Sequence, residues 1–575
     1  MDITLRIGGE AGQGLQFIGS ALGKIFSRSG LHVFTHQDYM SRIRGGHNFY
    51  QIRVADHPIH CSKEQIDILL ALDENTVAVH REFLAGNGII LYDEGLTKKS
   101  HHEKQFVNIP FVDLTEQLNL APIMANSAAI GAVLGGLGLG LDIFSDVIAG
   151  LLGKKGPEVM ESNLSVARAG TNFVRESVDW PDHLHCGEAG STPLMLVNGS
   201  QAIGLGALVS GCKFYAAYPM TPSTGIMIYL ASKAKKYGLI LEQAEDEIAA
   251  INMALGASFG GVRAMTGTSG GGFALMTEGL SLAGITETPI VIAEAQRPGP
   301  ATGLPTRTEQ GDLLFVLHGG HGEFPRVLFA PGTPEQAVHL TNKAFDLAEK
   351  YQIPAIIQSD QYLADSEWTF EQIDRTHLVL HDYRDHESDE HDGQYRRYRL
   401  NESGISPLAI PGKSAKLVVV DSDEHDEEGH LIEDAATRRA MVEKRWEKKW
   451  PALKAEISPP LFHGHAHPRI VLVGYGSTYG IMLDAVVALQ EKEDIALLHF
   501  AEIWPFPDPE QHDFMDILNG ADLAICVENN ATGQFASLFR SETGYAFPAF
   551  IRKYDGRPFM LEPFTDEIHE RIGKI

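Results

Sequence analysis

Short apolar runs alternate with helical segments between residues 213 and 359, and this alternation constrains the fold more than any other feature of the sequence. After a first strand that begins at Lys213, strands are predicted at residues 239–243, 262–266 and 290–293. Strands that alternate with helices pair in parallel. The pattern therefore predicts an α/β fold in which the residues that follow each strand meet at one edge of the sheet.

The same alternation recurs near both ends of the chain, so the sequence predicts several doubly wound α/β domains. At 575 residues the chain is long enough for three or four domains that each bury a core. We expect domains at residues 1–180, 196–375 and 466–575, a linker at 181–195 and a charged, irregular connector at 376–465.

Charge and cysteine content disfavour several classes of function. The formal net charge of −28 disfavours binding to nucleic acid and to anionic membrane surfaces. The four cysteines are scattered without a C-x-x-C pair, which disfavours both a disulfide framework and a four-thiolate iron–sulfur site within the chain. The sequence starts directly in a strand with no signal peptide, and we expect a cytoplasmic protein.

One stretch, residues 128–152, is apolar enough to require a test for a membrane span. It is rich in glycine, Asp142 and Asp146 interrupt it, and Lys154 and Lys155 border it. These features favour a buried helix and turn over a membrane-spanning helix.

The connector contains two runs of histidines and acids, at residues 381–387 and 421–428. A metal site is one interpretation. Neither run has a His-x-x-x-His or other defined ligand spacing, so the sequence favours solvated loops and no metal site. Residues 436–450 are predicted to form a charged surface helix.

The first candidate functional residues follow the first of the predicted strands. Tyr218 and Pro219 lead into Thr221 and Pro222. Pro222 suits the first position of a helix, where its missing N–H would have no partner. Thr221 suits the N-cap, where its hydroxyl accepts from the exposed N–H groups of the first turn. The sequence therefore predicts that a helix begins here.

A carboxylate, Glu247, opens the helix after the second strand. Acids are common in the first turn of a helix because they meet the positive end of its dipole, so the position alone favours a structural role. A carboxylate on a rigid element, partly shielded from water, also suits a proton-sharing acid. Glu245 and Glu242 are the alternatives.

The third strand leads into a glycine-rich loop at residues 268–272, and the fourth leads into Arg297 and a Pro-Gly-Pro sequence. The spacing alone shows an arginine in a rigid loop, for which a ligand-binding role and a solvent-facing role are both open.

Near the N-terminus, a predicted strand runs into a glycine-rich turn that contains Gly12 and Gly14. Its order, G-x-x-G-x-G, differs from the G-x-G-x-x-G of a dinucleotide site, and Glu10 adds negative charge where a pyrophosphate would lie. A structural turn and an anion-binding turn both stay open. Arg42 and Arg44 suit bidentate phosphate binding, or alternatively brace a loop or contact a neighbour.

Four ordered motifs carry a resemblance to a known family. They are Tyr218-Pro219-Met220-Thr221-Pro222-Ser223, Glu245-Asp246-Glu247-Ile248-Ala249, Thr268-Ser269-Gly270 and Arg297-Pro298-Gly299-Pro300. This region resembles the pyrimidine-binding domain in the α subunit of the 2-oxoacid:ferredoxin oxidoreductases. Residues 1–180 resemble the γ domain of that family, and residues 466–575 resemble the carboxyl-terminal domain of the transketolase group. The resemblance implies a fused γ–α chain.

The resemblance also implies roles for the candidate residues. Glu247 would hydrogen-bond the aminopyrimidine of thiamine diphosphate, a cofactor that Tyr218 and Pro219 would help to bind. The implied substrate-binding residues are Arg297, for the 1-carboxylate of a 2-oxoacid, with Thr221 and Thr306. Coenzyme A is the implied co-substrate, with Gly12, Gly14, Arg42 and Arg44 as candidate contacts.

Two parts that the family requires are missing from the sequence. No Gly-Asp-Gly motif for Mg²⁺ and the diphosphate occurs, since Gly311-Asp312 is followed by Leu313, and the cysteines cannot hold an iron–sulfur cluster. The resemblance therefore implies a separate β subunit that carries the diphosphate, Mg²⁺ and a [4Fe–4S] cluster. The implied assembly is an (αβ)2 heterotetramer that reduces ferredoxin.

The implied reaction converts a 2-oxoacid, coenzyme A and oxidised ferredoxin to acyl-CoA, CO2 and reduced ferredoxin, or runs in reverse, as in a reductive tricarboxylic acid cycle. The loop at residues 297–306 most resembles members that act on 2-oxoglutarate, with pyruvate and branched-chain 2-oxoacids as alternatives. Two other functions stay open. One is a thiamine-dependent transferase or lipoamide-linked dehydrogenase component, and the other is a non-catalytic scaffold or regulatory subunit.

Overall fold

A computed structural model of the protein describes residues 1–41, 45–186, 190, 192–384, 395–413 and 417–573. Three β-sheets of eight, seven and five strands form the fold, and helices connect most of the parallel strands. The predicted α/β class is confirmed. The chain divides into two units, and the first contains Met1–Val197, Ser366–Ile373 and Phe559–Asp566.

The N-terminal region begins with strands and ends with three longer helices. Its strands are β1 Asp2–Glu10, β2 His32–Asp38, β3 His47–Ala55, β4 Ile66–Ala71, β5 Leu84–Tyr92, β6 Phe106–Asn108 and β7 Met195–Asn198. Its helices are α1 Leu15–Arg28, α2 Glu74–His80, α3 Glu94–Thr97, α4 Phe111–Glu116, α5 Ala125–Gly136, α6 Asp142–Leu152 and α7 Pro157–Ser177.

The central region alternates strands and helices as predicted. Its strands are β8 Cys212–Ala217, β9 Ile240–Gln243, β10 Arg263–Thr268, β11 Ile290–Gln296, β12 Val327–Phe329, β13 Pro354–Asp360 and β14 Glu367–Phe370. Its helices are α8 Gly199–Val209, α9 Thr224–Tyr237, α10 Glu247–Phe259, α11 Gly270–Ile285, α12 Leu313–His318, α13 Pro334–Tyr351 and α14 Gln361–Asp365.

The C-terminal region starts with α15 Ala435–Glu443, a π-helical turn at Lys444–Lys448 and α16 Trp450–Lys454. Its strands are β15 Leu461–His463, β16 Ile470–Tyr475, β17 Ile495–Phe500, β18 Glu502–Trp504, β19 Leu523–Glu528 and β20 Ala549–Arg552. Its remaining helices are α17 Thr478–Leu489, α18 Phe514–Gly520, α19 Gln534–Thr543 and α20 Leu561–Ile572.

The eight-stranded sheet of the first unit has the order β6-β5-β4-β1-β3-β2-β14-β7. Strands β1, β4, β5 and β6 are parallel, whereas β3 runs antiparallel to both β1 and β2. A short connection joins β2 to β3, and such a connection permits only antiparallel neighbours.

Strand β14 belongs to the first unit. Trp368 lies opposite Phe34 of β2, with their ring centroids 4.9 Å apart. The Tyr50 hydroxyl donates to the Glu367 carboxylate at 2.9 Å. Strand β14 lies within the domain that we expected at residues 196–375, but in the structure it belongs to the first unit. The other expected boundaries stay predictions.

The second unit contains the other two sheets, with the orders β18-β12-β13-β11-β10-β8-β9 and β15-β17-β16-β19-β20. All neighbours are parallel except the edge strands β18 and β15, which are antiparallel to β12 and β17. Strand β18 lies in the segment predicted as the last domain, yet it extends the seven-stranded sheet.

The apolar stretch at residues 128–152 forms most of α5 and all of α6. A Cβ added at Gly131 would overlap the Ala167 carbonyl of α7, so glycine allows these two helices to approach closely. The predicted buried helix is confirmed for α5, whereas α6 buries only one face. Within the described ranges, every helix is too short or too polar to cross a membrane.

A buried group of charges forms where the connector packs against the turn between α11 and β11. Glu287 in this turn is 1% exposed, and its carboxylate accepts from Lys444 Nζ at 2.6 and 2.7 Å and from Lys449. Burial raises the pKa of Glu287, but attraction to Lys444, Lys449 and Arg397 outweighs burial and lowers the pKa below its ordinary value. The segment predicted as a surface helix is largely helical, but its surface position is wrong at Lys444 and Lys449, because the buried carboxylate holds both lysines in the interior.

The acidic run around Glu424 is also packed. Glu424 accepts from the Arg445 guanidinium at 2.9 and 2.8 Å, and the His425 ring is buried with its centroid 3.8 Å from that of Tyr398. The predicted solvated loop is wrong at these residues, because an arginine 21 positions away neutralises the acid. Residues 385–387 of the other run lie outside the described residues.

Replacement of Glu287 by Gln is expected to lower the free energy of unfolding by about 3–5 kcal/mol, because two lysines would stay buried without a carboxylate. Urea unfolding followed by circular dichroism measures the change. Glu278→Gln, an exposed substitution on α11, is the matched control and should change stability by less than about 0.5 kcal/mol. Equal stability of Glu287→Gln and the wild type would contradict this account.

Candidate active site

Strands β8, β9, β10 and β11 are parallel neighbours in the seven-stranded sheet, so their carboxyl ends lie at one edge. Each strand leads into a segment that carries candidate residues. These are Tyr218, Pro219 and Thr221 after β8, Glu247 after β9, Ser269 after β10 and Arg297 after β11. The topology therefore brings together the segments that the strand pattern assigned to a common edge.

Glu247 is the first residue of α10, and Asp246 caps this helix by accepting from the Ala249 N–H at 2.7 Å. Glu247 is 3% exposed, and its Oε1 atom is buried without a hydrogen-bond partner among the described residues. The alternatives Glu242 and Glu245 are exposed. Because buried carboxylate oxygens normally have partners, Oε1 of Glu247 is suited to a donor from outside this chain.

The turn at Thr221 differs from the prediction. Helix α9 begins at Thr224 with Ser223 at its N-cap, and the Ser223 hydroxyl donates to the Met220 carbonyl at 2.7 Å, which closes a turn ahead of the helix. Thr221 and Pro222 lie in that turn, so the predicted N-cap and first helical position are wrong. The Thr221 carbonyl instead accepts from Arg297 Nη1 at 2.7 Å.

Helix α11 begins at Gly270, so only Thr268 and Ser269 of the predicted glycine loop precede the helix. A Cβ added at Gly272 would overlap Oε1 of Glu247 and Oγ1 of Thr268. The small size of Gly272 is therefore what allows the Glu247 carboxyl group to lie against α11. The Ser269 hydroxyl is buried without a hydrogen-bond partner among the described residues.

Arg297 is half-buried and interacts electrostatically with two carboxylates. Burial lowers the pKa of Arg297, while the charges of Asp312 and Glu247 raise it. Burial raises the pKa of Asp312 to about 6, and the neighbouring Arg297 and Glu294 act in the opposite direction. Burial and the charge of Asp312 raise the pKa of Glu294 well above its ordinary value, and the Glu294 carboxyl accepts from the Gln358 side-chain amide at 3.1 Å.

Hydrogen bonds of Gln310 hold the loop that follows Arg297 in place. The Gln310 N–H donates to the Asn529 carbonyl at 2.7 Å, and its side-chain oxygen accepts from the Asn529 N–H at 2.9 Å. Its side-chain amide donates to the Tyr475 carbonyl at 2.9 Å. Tyr475 and Asn529 lie at the ends of β16 and β19, so the five-stranded sheet holds the loop on which Thr306 is buried.

The glycine turn of the first unit has a conformation that requires its glycines. Gly12 and Gly14 have φ angles of 101° and 89°, in the left-handed region, and Gly14 immediately precedes α1. Both glycines line a cavity of about 370 Å³ beside the ends of β2 and β3. The other two candidates in this unit, Arg42 and Arg44, lie outside the described residues.

Sequence reasoning missed the carboxyl pair Glu294 and Asp312 and the amide pair Gln310 and Asn529. The sequence could have revealed Glu294, because an acid inside an apolar strand must either have a partner or carry a proton. The amides gave no signal, since Gln310 and Asn529 are 219 residues apart.

Two family models match the chain. One, described as pyruvate ferredoxin/flavodoxin oxidoreductase, matches residues 4–173. The other, described as pyruvate flavodoxin/ferredoxin oxidoreductase, thiamine diP-bdg, matches residues 205–444, which include every segment of the sheet edge described above. A thiamine diphosphate-binding domain is therefore present.

A relative from a Sulfolobus species, named 2-oxoacid:ferredoxin oxidoreductase subunit alpha, is 30% identical over 100% of this chain and 97% of its own length. The chain belongs to the family of 2-oxoacid:ferredoxin oxidoreductase alpha subunits. A subunit alpha of Aeropyrum pernix is 31% identical over 97% of this chain and 96% of its own length. The resemblance drawn from the motifs is confirmed, and the chain is part of an oxidoreductase.

A solved structure shows that the whole fold is that of this oxidoreductase family. The 2-oxoglutarate:ferredoxin oxidoreductase from Magnetococcus marinus, with 2-oxoglutarate, coenzyme A and succinyl-CoA bound, matches with a TM-score of 0.91 and 29% identity over 99% of both chains. In addition, the 2-oxoglutarate oxidoreductase subunit KorA of Mycobacterium tuberculosis is 27% identical over 94% of this chain and 87% of its own length.

The residues at the sheet edge fit part of the cofactor that these oxidoreductases use. A buried carboxyl oxygen without a partner, at Glu247, suits a hydrogen bond to the aminopyrimidine ring of thiamine diphosphate. In the part of the chain that the structure describes, no group of three or more His, Cys, Asp or Glu side chains converges. This part of the chain therefore offers no comparable site for the metal that accompanies the diphosphate.

Gly272→Ala is expected to lower 2-oxoacid-dependent reductase activity at least tenfold, an overpacking effect of about 1–3 kcal/mol that displaces the Glu247 carboxyl. The measurement is dye reduction by the assembled oxidoreductase. Gly271→Ala is the matched control, because a Cβ at Gly271 would lie 3.9 Å from its nearest neighbour, the Ala301 carbonyl oxygen. Equal loss in both variants would contradict a specific effect on Glu247.

Proposed function

We propose that this chain is one half of a coenzyme A-acylating 2-oxoglutarate:ferredoxin oxidoreductase. The reaction converts 2-oxoglutarate, coenzyme A and oxidised ferredoxin to succinyl-CoA, CO2 and reduced ferredoxin, and it is reversible in principle. The observation that carries the proposal is the buried Glu247 oxygen, which has no hydrogen-bond partner among the described residues and belongs to a carboxylate that interacts electrostatically with Arg297.

The choice of 2-oxoglutarate is supported by two relatives that match nearly the whole chain. The Magnetococcus marinus enzyme holds 2-oxoglutarate and succinyl-CoA, and the Mycobacterium tuberculosis subunit is named for 2-oxoglutarate. Pyruvate is the second candidate, because the descriptions of both family models name it.

Glu247 acts as the proton-sharing acid. Thiamine diphosphate, when bound, supplies the electron sink for decarboxylation. Glu247 would share a proton between its Oε1 atom and a nitrogen of the aminopyrimidine ring, and burial against Gly272 would keep water away from that proton. The Asp246 cap fixes the start of α10 and so fixes the position of the acid. Tyr218 and Pro219, at the end of β8, contact the same cofactor.

Arg297 binds the 1-carboxylate of the 2-oxoacid. One of its N–H groups donates to the Thr221 carbonyl, and this hydrogen bond orients the planar guanidinium. The remaining N–H groups are suited to binding the substrate carboxylate. The charges of Asp312 and Glu247 keep the guanidinium protonated. The hydroxyl groups of Thr221 and Thr306 add hydrogen bonds to the substrate.

A β subunit covers this edge of the sheet. Helices α10 and α11 expose apolar side chains beside Glu247, with Ile248 50%, Leu275 49% and Met253 40% exposed. Exposed apolar side chains grouped on neighbouring helices mark an interaction surface. The β subunit brings the parts that the sequence lacks, namely a Gly-Asp-Gly site for Mg²⁺ and the diphosphate and a [4Fe–4S] cluster that passes electrons to ferredoxin. The assembly is an (αβ)2 heterotetramer.

The first unit contributes to binding of coenzyme A or of another anion. Its support is the cavity lined by Gly12 and Gly14 at the N-terminal end of α1, where backbone N–H groups favour an anion. Arg42 and Arg44 would add positive charge to this turn.

Glu247→Ala is expected to lower the rate of the assembled oxidoreductase at least about a hundredfold, the usual size of a general acid–base contribution. The rate is measured by anaerobic dye reduction in a complex loaded with thiamine diphosphate. Glu245→Ala, two residues earlier and exposed, is the matched control and should keep near wild-type activity. Full activity of Glu247→Ala would favour the scaffold function instead.

The proposed function is tested by co-purifying this chain with its partner subunit and measuring coenzyme A-dependent reduction of a low-potential dye. We expect activity only in the complex, and higher kcat/KM with 2-oxoglutarate than with pyruvate. The chain alone is the control, and its activity would contradict the two-subunit site. Activity with a lipoyl acceptor and without ferredoxin or dye would favour a lipoamide-linked dehydrogenase.

A further inference from the structure

One group of positive charges in the second unit is formed by Arg307 and the end of β20. Arg307 lies on the loop after Arg297, and the segment at the end of β20 reads Arg552-Lys553-Tyr554-Asp555-Gly556-Arg557. That segment has three cations and one acid, Asp555, which pairs with Lys553 at 2.7 Å, in a chain whose net charge is −28. Such a concentration attracts a ligand with several negative charges.

Gly556 brings the two segments together. Its φ of 75° lies in the left-handed region, and a Cβ there would lie 3.0 Å from Leu304 Cδ1 and 3.4 Å from Arg307 Cβ. Glycine therefore permits both the turn and the close approach. As a result, the Arg307 side chain begins next to the segment that carries Lys553 and Arg557.

Asn529 fixes the position of these cations relative to the 297–310 loop. Its side-chain amide donates to the carbonyls of Lys553 and Arg557 at 3.0 and 3.4 Å. Its backbone makes two hydrogen bonds with Gln310, at 2.7 and 2.9 Å. Both segments are thus held by one asparagine, and Arg307, Lys553 and Arg557 are half-buried side chains on a fixed backbone.

An exposed aromatic ring lies among the cations. Tyr554 is 62% exposed, and Leu304 on the facing segment is 48% exposed. An accessible ring flanked by lysine and arginine suits a purine base, because the base stacks on the ring while the cations bind the attached phosphates. These two features together indicate a nucleotide.

We propose that this cationic rim, formed by Arg307, Arg552, Lys553, Tyr554 and Arg557, binds the nucleotide part of coenzyme A. The cations bind its 3′-phosphate and diphosphate, and Tyr554 stacks on its adenine. The inference rests on the proposed function, in which coenzyme A accepts the acyl group. The second carboxylate of 2-oxoglutarate is the weaker match, because a single carboxylate has no group that would stack on Tyr554.

The test compares two thiols in steady-state kinetics of the assembled oxidoreductase, coenzyme A and pantetheine, which lacks the nucleotide. Arg307→Ala and Arg557→Ala are each expected to raise the KM for coenzyme A about tenfold, the effect of losing one charge-assisted hydrogen bond. The KM for the 2-oxoacid and the kcat/KM with pantetheine should change less than about twofold, because neither involves the phosphates.

Conservative variants separate binding from folding. Arg557→Lys should restore most of the affinity for coenzyme A, and Tyr554→Phe should keep it whereas Tyr554→Ala should lose it. Arg469→Ala is the matched control, because Arg469 is an exposed arginine paired with Asp522 before β16, at the opposite end of the same parallel sheet. It should leave the KM for coenzyme A unchanged.

Three results would overturn this proposal in an enzyme that remains dependent on coenzyme A. One is an unchanged KM for coenzyme A in both arginine variants. The second is a rise in the KM for 2-oxoglutarate instead, which would assign the cations to its second carboxylate. The third is a rise in the KM for coenzyme A in the Gly12→Ala variant alone, which would place the phosphates at the glycine turn. Turnover of the wild-type complex without coenzyme A would refute the proposed function itself.

Discussion

Parallel pairing of β8, β9, β10 and β11 is the constraint on which the candidate active site depends. Because parallel neighbours all end at the same edge of a sheet, residues far apart in sequence meet there. Thr221 and Arg297, for example, are 76 positions apart and share a hydrogen bond. Antiparallel neighbours would have placed these segments at opposite edges. One of the helices that make parallel pairing possible, α10, also supplies the first turn on which Glu247 lies.

Buried acids in this oxidoreductase subunit are stabilised in two ways, and each has a different consequence. Glu287 stays ionised because two lysines reach it in the interior, and this pairing holds the connector against the central sheet. Burial and the charge of Asp312 raise the pKa of Glu294 well above its ordinary value. The first arrangement depends on charge and contributes to the packing of the fold. The second disfavours two adjacent negative charges near Arg297, the candidate substrate-binding residue.

The candidate site lies at an edge that is open on one side. Glu247 has a buried oxygen without a partner among the described residues, and apolar side chains on α10 and α11 are exposed next to it. On the other side, the five-stranded sheet holds the 297–310 loop through Gln310 and Asn529. One side is rigid within the chain and the other is open, which is the arrangement expected of one subunit of a shared active site.

The sequence by itself determined the α/β class, the order of strands and helices around the candidate site and the family, and it identified Glu247 as the candidate acid. Strand and helix periods are local properties, and the four motifs keep their order and spacing, so one chain suffices to read them. Only the tertiary structure decided that Thr221 uses its carbonyl for Arg297, that Lys444 is buried against Glu287, and that Gln310 is held by Asn529. The last two pairs are 157 and 219 positions apart. Burial of a charge and long-range hydrogen bonds depend on which surfaces pack together, and no local pattern encodes that.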